Sequence, residues 1–477
     1  MERIELISFL ILFGLLLPGK AAEPVDIGSR LELFLDASLV ESKENLEFRM
    51  HSPVKVPRPN SPLPEKHYIT VIRDENLFRA YWRGSDPAFS GKAESGGGGE
   101  TVCYAESTDG HEWTFPELGL HEVAGTKANN VILAKMPKFL HNFVPFLDTL
   151  PGVPAAERYK ALAGHPGTGN KQKLEEVAGR GLYAFVSEDG IHWTKKDEVI
   201  PYRKGWRHAF DSANVSFWSE AEQQYVCYFR TWLEPDPLRS VSRTTSKDFE
   251  TWTAPVAMNP NFPGEHLYTT QTHPYFRAPH IYVALATRYV PGRGDDAGGQ
   301  SSERNATDIL LMSTRAGSET YDRLFPEAFI RPGLEEKQWG NRANYVALNV
   351  VPTGPNEMSI YHRSGDRYVL RTDGFVSVQA GSEPGELLTK PVQCYGSKLI
   401  LNLSTSAVGS ARVEIQNADG KAIPGLELEN CQALFGDAIE LMMKWKGDPD
   451  LSALAGKPIR LRFVLTECDL YSYRFAE

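Results

Sequence analysis

Ser107-Thr-Asp109-Gly110-His-Glu-Trp113-Thr114 is written twice more along the chain, as Ser187-Glu-Asp189-Gly190-Ile-His-Trp193-Thr194 and as Ser246-Lys-Asp248-Phe249-Glu-Thr-Trp252-Thr253. The shared template is S-x-D-[GF]-x-x-W-T. Each copy follows a strand-like run: Thr101-Val-Cys-Tyr-Ala-Glu, Gly181-Leu-Tyr-Ala-Phe-Val and Ser240-Val-Ser-Arg-Thr-Thr. Asp bonds its own backbone, Gly accepts a positive φ, and the Trp opens the next strand, so each copy reads as a tight turn between strands. Three copies beginning 80 and 59 residues apart form a repeat, and repeats at that spacing point to propeller blades.

Two more strand-like runs stand ahead of each phrase, giving an order A-B-C-D with the phrase between C and D. Strand A reads His67-Tyr-Ile-Thr-Val-Ile, then Asn142-Phe-Val-Pro-Phe-Leu, then Asp211-Ser-Ala-Asn-Val-Ser-Phe-Trp218. Strand B reads Leu77-Phe-Arg-Ala-Tyr-Trp82, Arg158-Tyr-Lys-Ala-Leu-Ala163 and Gln224-Tyr-Val-Cys-Tyr-Phe229. Degenerate fourth and fifth units begin at Thr270 and Asn344, the fourth without the Trp. Five four-stranded units predict an all-β, five-bladed β-propeller. The fifth unit lacks an outer strand, and residues 31–36 are expected to supply it. From about Phe375 onward, period-two runs such as Ala411-Arg-Val-Glu-Ile-Gln416 and Ile459-Arg-Leu-Arg-Phe-Val-Leu465 alternate with turns, which predicts a C-terminal β-sandwich. The expected domains are therefore an export signal over 1–22, the propeller over 23–374 and the sandwich over 375–477.

Composition agrees with an all-β chain, with 40 glycines, 32 prolines and 11% aromatic residues. A net charge of −10 argues against nucleic acid as a partner, because phosphate binding needs a basic face. The apolar run of residues 7–18, followed by Lys20-Ala21-Ala22, has signal-peptide length and falls short of the roughly 20 residues a membrane span needs. The mature protein is thus expected in the periplasm or outside the cell, with no membrane partner. Five cysteines without a C-x-x-C spacing make neither a disulfide framework nor a structural zinc site. No cofactor is expected. Asp295-Asp296 in a glycine-rich loop offers ligands for Ca²⁺, but no strong motif supports a site there and a solvated acidic loop is the favoured reading.

Blade topology places the D-to-A and B-to-C links on one face and the A–B and C–D turns on the other. The B–C links are long and glycine-rich, at 84–100, 164–180 and 291–307, and long loops gathered on one face are where binding residues sit. The repeated Trp phrases fall on the opposite face and read as structural. At the starts of the A strands, where the channel opens toward the long loops, stand His67, His141, Asn142, Arg207, His208, Asp211, Glu265, His266, Gln271, His273, Arg342 and Asn344. Unpaired charge in a narrow channel is costly, and two carboxylates, Asp211 and Glu265, among such groups suit glycoside hydrolysis. The plainer alternatives are Asp211 as a strand-start cap, Glu265 as an exposed loop residue and the histidines as ordinary hydrogen-bonding groups.

The chain resembles the five-bladed-propeller glycoside hydrolases of families 32 and 43, and its propeller followed by a sandwich is similar to the family 32 layout. Phe210-Asp211-Ser212 with Tyr225-Val-Cys-Tyr looks like that family's transition-state-stabilising element, and Glu265-His-Leu-Tyr looks like its general acid. The resemblance implies Asp211 as base or stabiliser, Glu265 as proton donor and an oligo- or polysaccharide as substrate. The family 32 motif Trp-x-Asn-Asp-Pro-Asn-Gly has no counterpart, since the equivalent stretch His141-Asn142-Phe143-Val144-Pro145 holds no carboxylate. Asp86 or Glu100 from the first B–C loop, or a histidine, would then complete the site. Two other functions stay open: a catalytically silent sugar-binding propeller, and a lyase using His or Tyr with Arg on a uronate.

Overall fold

The computed structural model describes residues 23–91, 96–164, 179–203, 206, 208–233, 237–293, 305–340 and 342–477. Arg207, Asp295, Asp296 and the predicted export signal lie outside them. Five sheets of the A-B-C-D pattern surround a channel. Blade 1 holds Thr70–Asp74, Leu77–Ser85, Glu100–Ser107 and Val131–Ala134. Blade 2 holds Val144–Leu147, Tyr159–Ala163, Leu182–Ser187 and Thr194–Ile200. Val215–Ser219, Gln224–Trp232, Arg239–Ser246 and Val256–Ala257 make blade 3. In blade 4 the A strand is split into His266–Thr269 and Thr272–Tyr275 by Gln271 at φ 50°, and both halves pair with Ala278–Pro291. The third strand is Asn305–Arg315, and the outermost position is reduced to the isolated bridges Ile309–Ile330 and Ser313–Asp322.

Blade 5 consists of Val351–Pro352, Glu357–Tyr361 and Arg367–Arg371, and its fourth strand is Val54–Lys55, paired antiparallel with Tyr368 and Val369. The ring is therefore closed by residues 54–55 and not by 31–36. The reason is burial. An outer blade strand faces solvent, as Val54 and Lys55 do, whereas Leu31, Leu33, Phe34 and Leu35 are buried and need a core. That segment joins the sandwich, where Glu32 and Leu33 pair with Tyr473 and Ser472.

The sandwich takes strands from both ends of the chain, which moves its boundary from the expected 375–477. Val25–Gly28 runs parallel to Val392–Cys394, Leu46–Met50 pairs with Val376–Ala380, and Val40–Glu44 pairs with Gly385–Thr389. Its spine is the ribbon of Lys398–Asn417 against Pro458–Ala476. Period-two alternation buries Ile459, Leu461, Phe463 and Leu465 along one edge of that ribbon, as the sequence pattern requires.

Two repeated devices join blade to blade. In each Trp phrase the Asp carboxylate accepts two backbone N–H bonds within the turn, from His111 and Glu112, from Ile191 and His192, and from Glu250 and Thr251. The turn wedges against the preceding blade: Tyr361 donates to the Gly110 carbonyl at 2.7 Å, and a Cβ on Gly190 (φ 75°) would meet the Tyr81 hydroxyl at 2.5 Å. The second device is a tyrosine staple at the start of strand B. Tyr159, Tyr225 and Tyr282 donate to Asp74, Asp148 and Glu222 of the blade before, each carboxylate also paired with a cation, Arg158, Lys160 and Arg243 respectively.

Candidate active site

The face bearing the A-strand starts opens into a cavity of about 380 Å³ lined by Glu65, Lys66, His67, Tyr68, Arg83, Gly84, Ser85, Asp211, Tyr268, Arg342 and Tyr345. Blades 1, 3 and 4 and the segment entering blade 5 all contribute, so the channel mouth gathers residues far apart in sequence. Three tyrosine rings form one wall, Tyr345 standing 5.9 Å from Tyr68 and 5.5 Å from Tyr268 between ring centroids. Burial pushes the Tyr68 and Tyr345 hydroxyls well up, which keeps them protonated donors. Tyr68 itself sits at φ 56°, an uncommon conformation for a bulky residue that is held by the structure around it.

Asp211 is the deepest carboxylate of this wall, with its side chain about one-third exposed (32%). Arg230, at the end of strand B of the same blade and only 3% exposed, pairs with it at 2.8 Å. On the other side the His141 Nε2 lies 3.6 Å away. The His141 Nδ1 is in turn 2.9 Å from Glu100, which also accepts a bond from the Gly96 N–H and lies 3.7 Å from Arg83. Burial works to raise the Glu100 carboxyl, but the His141 hydrogen bond and the charges of His141 and Arg83 outweigh it and hold the group below its ordinary value. A chain Glu100–His141–Asp211 therefore runs from the core to the cavity, with only its last member open to a ligand. Asn142, at φ 54°, braces the chain by accepting from Arg83 at 2.8 Å and donating to the Phe210 carbonyl at 3.1 Å.

His67 stands on the same wall with its Nδ1 buried and without a hydrogen-bond partner. Burial, followed by the fields of Arg363, Arg342, Arg83 and Lys66, pushes this imidazole down to about 3, so it is neutral across the physiological range.

The other expected residues fall elsewhere. Glu265 is bound by both arms of Arg323, at 2.5 and 3.1 Å, with its side chain 7% exposed, and it does not line the cavity. The loop before blade 4 turns it toward the Phe262 amide and toward Arg323, which follows the outer bridge at Asp322. Asp86 caps its own loop, accepting from the Ala88 and Ala124 amides, and faces away from the cavity. His266 accepts from the Arg239 backbone at 3.2 Å, and His208 lies 5.9 Å from the Trp232 ring. Neither lines the cavity. Asn344 is buried, donating to the Thr307 and Gln338 carbonyls, and Gln271 donates to the Val346 carbonyl. His273 belongs to the far end of the channel, where it bonds the Gln271 carbonyl and accepts from the Val350 N–H. It helps line a mostly apolar cavity there of about 390 Å³, with Phe146, Phe217 and Trp218. The kink at Gln271 carries His273 past the mouth. Among the described residues no cluster of three or more His, Cys, Asp or Glu has the arrangement of a metal site.

Sequence reasoning passed over Tyr68, Tyr345, Arg83 and Arg230, although Tyr68 follows His67 directly. The usable signal was the end of strand B: Arg83 and Arg230 each follow an aromatic-rich B run at a matching position, where an inward cation meets the neighbouring A-strand start.

No family model and no curated protein matches this chain. Solved structures do resemble it. A structure described as a glycoside hydrolase has a TM-score of 0.42 and 13% identity over 67% of this chain and 91% of its own. A thermostable family-43 glycoside hydrolase gives 0.41 and 11% over 68% and 95%. An N-acetylgalactosamine deacetylase from F. plautii, in complex with blood group B trisaccharide, gives 0.41 and 10% over 89% and 96%. The assignment of the propeller rests on the strand pairing described above, and these likenesses add nothing about the reaction.

Proposed function

We propose that this chain is a glycoside hydrolase whose reacting carboxylate is Asp211. The observation that carries this reading is the setting of Asp211: a partly exposed carboxylate on the wall of a cavity of sugar-ring size, gripped by a buried Arg230 and backed by His141, beside three tyrosine rings. The Arg230 guanidinium at 2.8 Å is the counter-charge of a carboxylate, a setting that suits a base or nucleophile rather than a proton donor. Tyrosine rings offer a flat apolar face to the C–H side of a sugar, while their hydroxyls, Arg83 and Arg342 offer donors to its oxygens. Because Arg323 binds both oxygens of Glu265, this reading gives the proton-donor role to another residue. Among the described residues the other carboxylate on the wall is Glu65, which Arg363 engages at one oxygen only, at 3.0 Å, and it takes that role in this reading. Export, as the sequence suggests, would place the enzyme where extracellular or periplasmic glycans are found.

The test is product formation on a polysaccharide panel. Asp211→Asn should lower turnover by about a thousand-fold or more while binding survives. Glu65→Gln should cost most on natural glycans and least on aryl glycosides with good leaving groups. Full activity in Asp211→Asn would sink the assignment.

A second reading is favoured by one observation, the neutral His67 with its free Nδ1 amid arginines and tyrosines. That set suits β-elimination from a uronate: Arg83 or Arg342 neutralises the carboxylate, His67 takes the C5 proton, the C4–O bond breaks as the C4=C5 double bond forms, and the Tyr68 or Tyr345 hydroxyl protonates the leaving oxygen. Reaction in ¹⁸O-labelled water separates the two. Hydrolysis places the label in a new hydroxyl, and elimination yields an unsaturated, ultraviolet-absorbing product without it.

A further inference from the structure

The cavity is cationic in a chain whose net charge is −10. Lys66, Arg83 and Arg342 line it against Glu65 and Asp211. Each of those carboxylates is already matched from behind, Asp211 by Arg230 at 2.8 Å and Glu65 by Arg363 at 3.0 Å. Lys66 is exposed and has no carboxylate partner among the described residues. A further guanidinium, Arg239, lies behind Tyr268, 5.2 Å from its ring, with its Nε buried and without a hydrogen-bond partner. Burial and the neighbouring Arg230 pull Arg239 below its ordinary value, a second sign of crowded positive charge. Arg230 stacks on the same ring at 4.9 Å, and its buried Nε and Nη1 likewise have no hydrogen-bond partner. Among the described residues the carboxylates facing these cations are Glu65, Asp211 and Glu100, the last 3.7 Å from Arg83, and holding this many cations together costs free energy that those three do not fully offset. A bound anion would.

We propose that the cavity selects a sugar bearing an anionic group, a carboxylate or a sulfate ester, held by Lys66, Arg83 and Arg342 while the ring lies against Tyr68, Tyr268 and Tyr345. This rests on the cavity being a glycan site and names its substrate class. A neutral sugar would leave Lys66 facing water and Arg83 held by Asn142 and Glu100, whereas an anion engages these cations in charge-assisted hydrogen bonds. The same lining of Lys66, Arg83 and Arg342 disfavours cationic amino sugars.

The test uses the full chain carrying Asp211→Asn, so that binding is read without turnover. The probes are an array of native uronate-containing, sulfated and neutral polysaccharides, each anionic member also presented carboxyl-reduced or desulfated. Binding should concentrate on anionic members and fall at least about ten-fold when the charge is removed and again in Lys66→Met, a surface change that leaves the fold intact. Loss on carboxyl reduction identifies a uronate, and loss on desulfation identifies a sulfate ester. Equal binding of neutral and anionic forms, or binding to no member, overturns the proposal. Wild-type cleavage is scored separately: an anionic glycan bound but not cut refutes hydrolysis and leaves the selectivity standing, and a neutral glycan bound and cut does the reverse.

Discussion

Asp211 and Glu265 show how the same residue type acquires opposite fates from its neighbours. Both precede an inner strand and both meet an arginine. Arg230 contacts Asp211 from beneath and leaves it facing the cavity, whereas Arg323 takes both oxygens of Glu265 and seals it from solvent. Glu265→Gln should therefore act on stability. It leaves Arg323, 5% exposed, without its counterion, at a cost of about 3–5 kcal/mol. Calorimetry should record a lowered Tm, with kcat of the folded enzyme nearly unchanged; a normal Tm with turnover abolished would restore Glu265 to the chemistry. His67 gives a pH signature. Its folded value of about 3 lies below the ordinary histidine value of 6.5, so the folded state binds fewer protons than the unfolded one. Its contribution is fully present above pH ~6.5 and is lost as pH falls toward 3. Urea melts of wild type and His67→Gln should show the wild type losing ground to the variant across that interval, and a constant difference would contradict the burial assigned to this imidazole.

At the scale of elements, the blades were legible because the Trp phrase repeats turn chemistry that only a few residue types satisfy. Its placement on the face away from the site follows from strand counting, and the turns do lie against neighbouring blades. The tyrosine staples were not legible, since Tyr159, Tyr225 and Tyr282 look like ordinary strand residues until the blade-to-blade register brings a carboxylate to each hydroxyl. The partners of Asp74 and Asp148 lie 85 and 77 residues away, beyond any local pattern. The wedge makes a sharp prediction at Gly190. Its φ of 75° penalises any side chain, and a Cβ there would stand 2.5 Å from the Tyr81 hydroxyl. Gly190→Ala should cost roughly 2–4 kcal/mol, seen as a lower denaturation midpoint. Gly264, at φ 77° with nothing near its Cβ position, serves as the control, where Gly264→Ala meets only the backbone strain. Equal losses at the two sites would refute the wedge.

For the whole molecule, the two ends of the chain build one sandwich, and the junction with the propeller is ionic. Arg315 of blade 4 reaches Asp36 at 2.8 Å and Glu32 at 3.0 Å, and His280 lies 3.1 Å from Glu32. A similar node gathers around Asp373, which accepts from Tyr275, Arg277, Asn402 and Ser472. The sequence showed residues 31–36 as a strand but not its destination, because alternation reports a buried face and not which core receives it. Glu32 and Asp36 are both nearly inaccessible, at 0% and 3%, so burial works to raise their carboxyls; the pairing with His280, Arg315 and Ser38 overcomes it and leaves both below their ordinary values. A depressed folded value contributes stability above the ordinary carboxylate range near pH ~4, and that contribution is lost as pH falls through the folded value. Arg315→Met removes the compensating charge while keeping an apolar stem, leaving buried Asp36 without its cation and Glu32 with His280 as its near partner, at about 3–5 kcal/mol. Urea melts over a pH series should find the gap between wild type and variant widest near neutrality and narrowing in acid, because protonation removes from the wild type what the substitution has already removed. A gap that stays constant with pH would mean that shape, and not charge, joins propeller to sandwich.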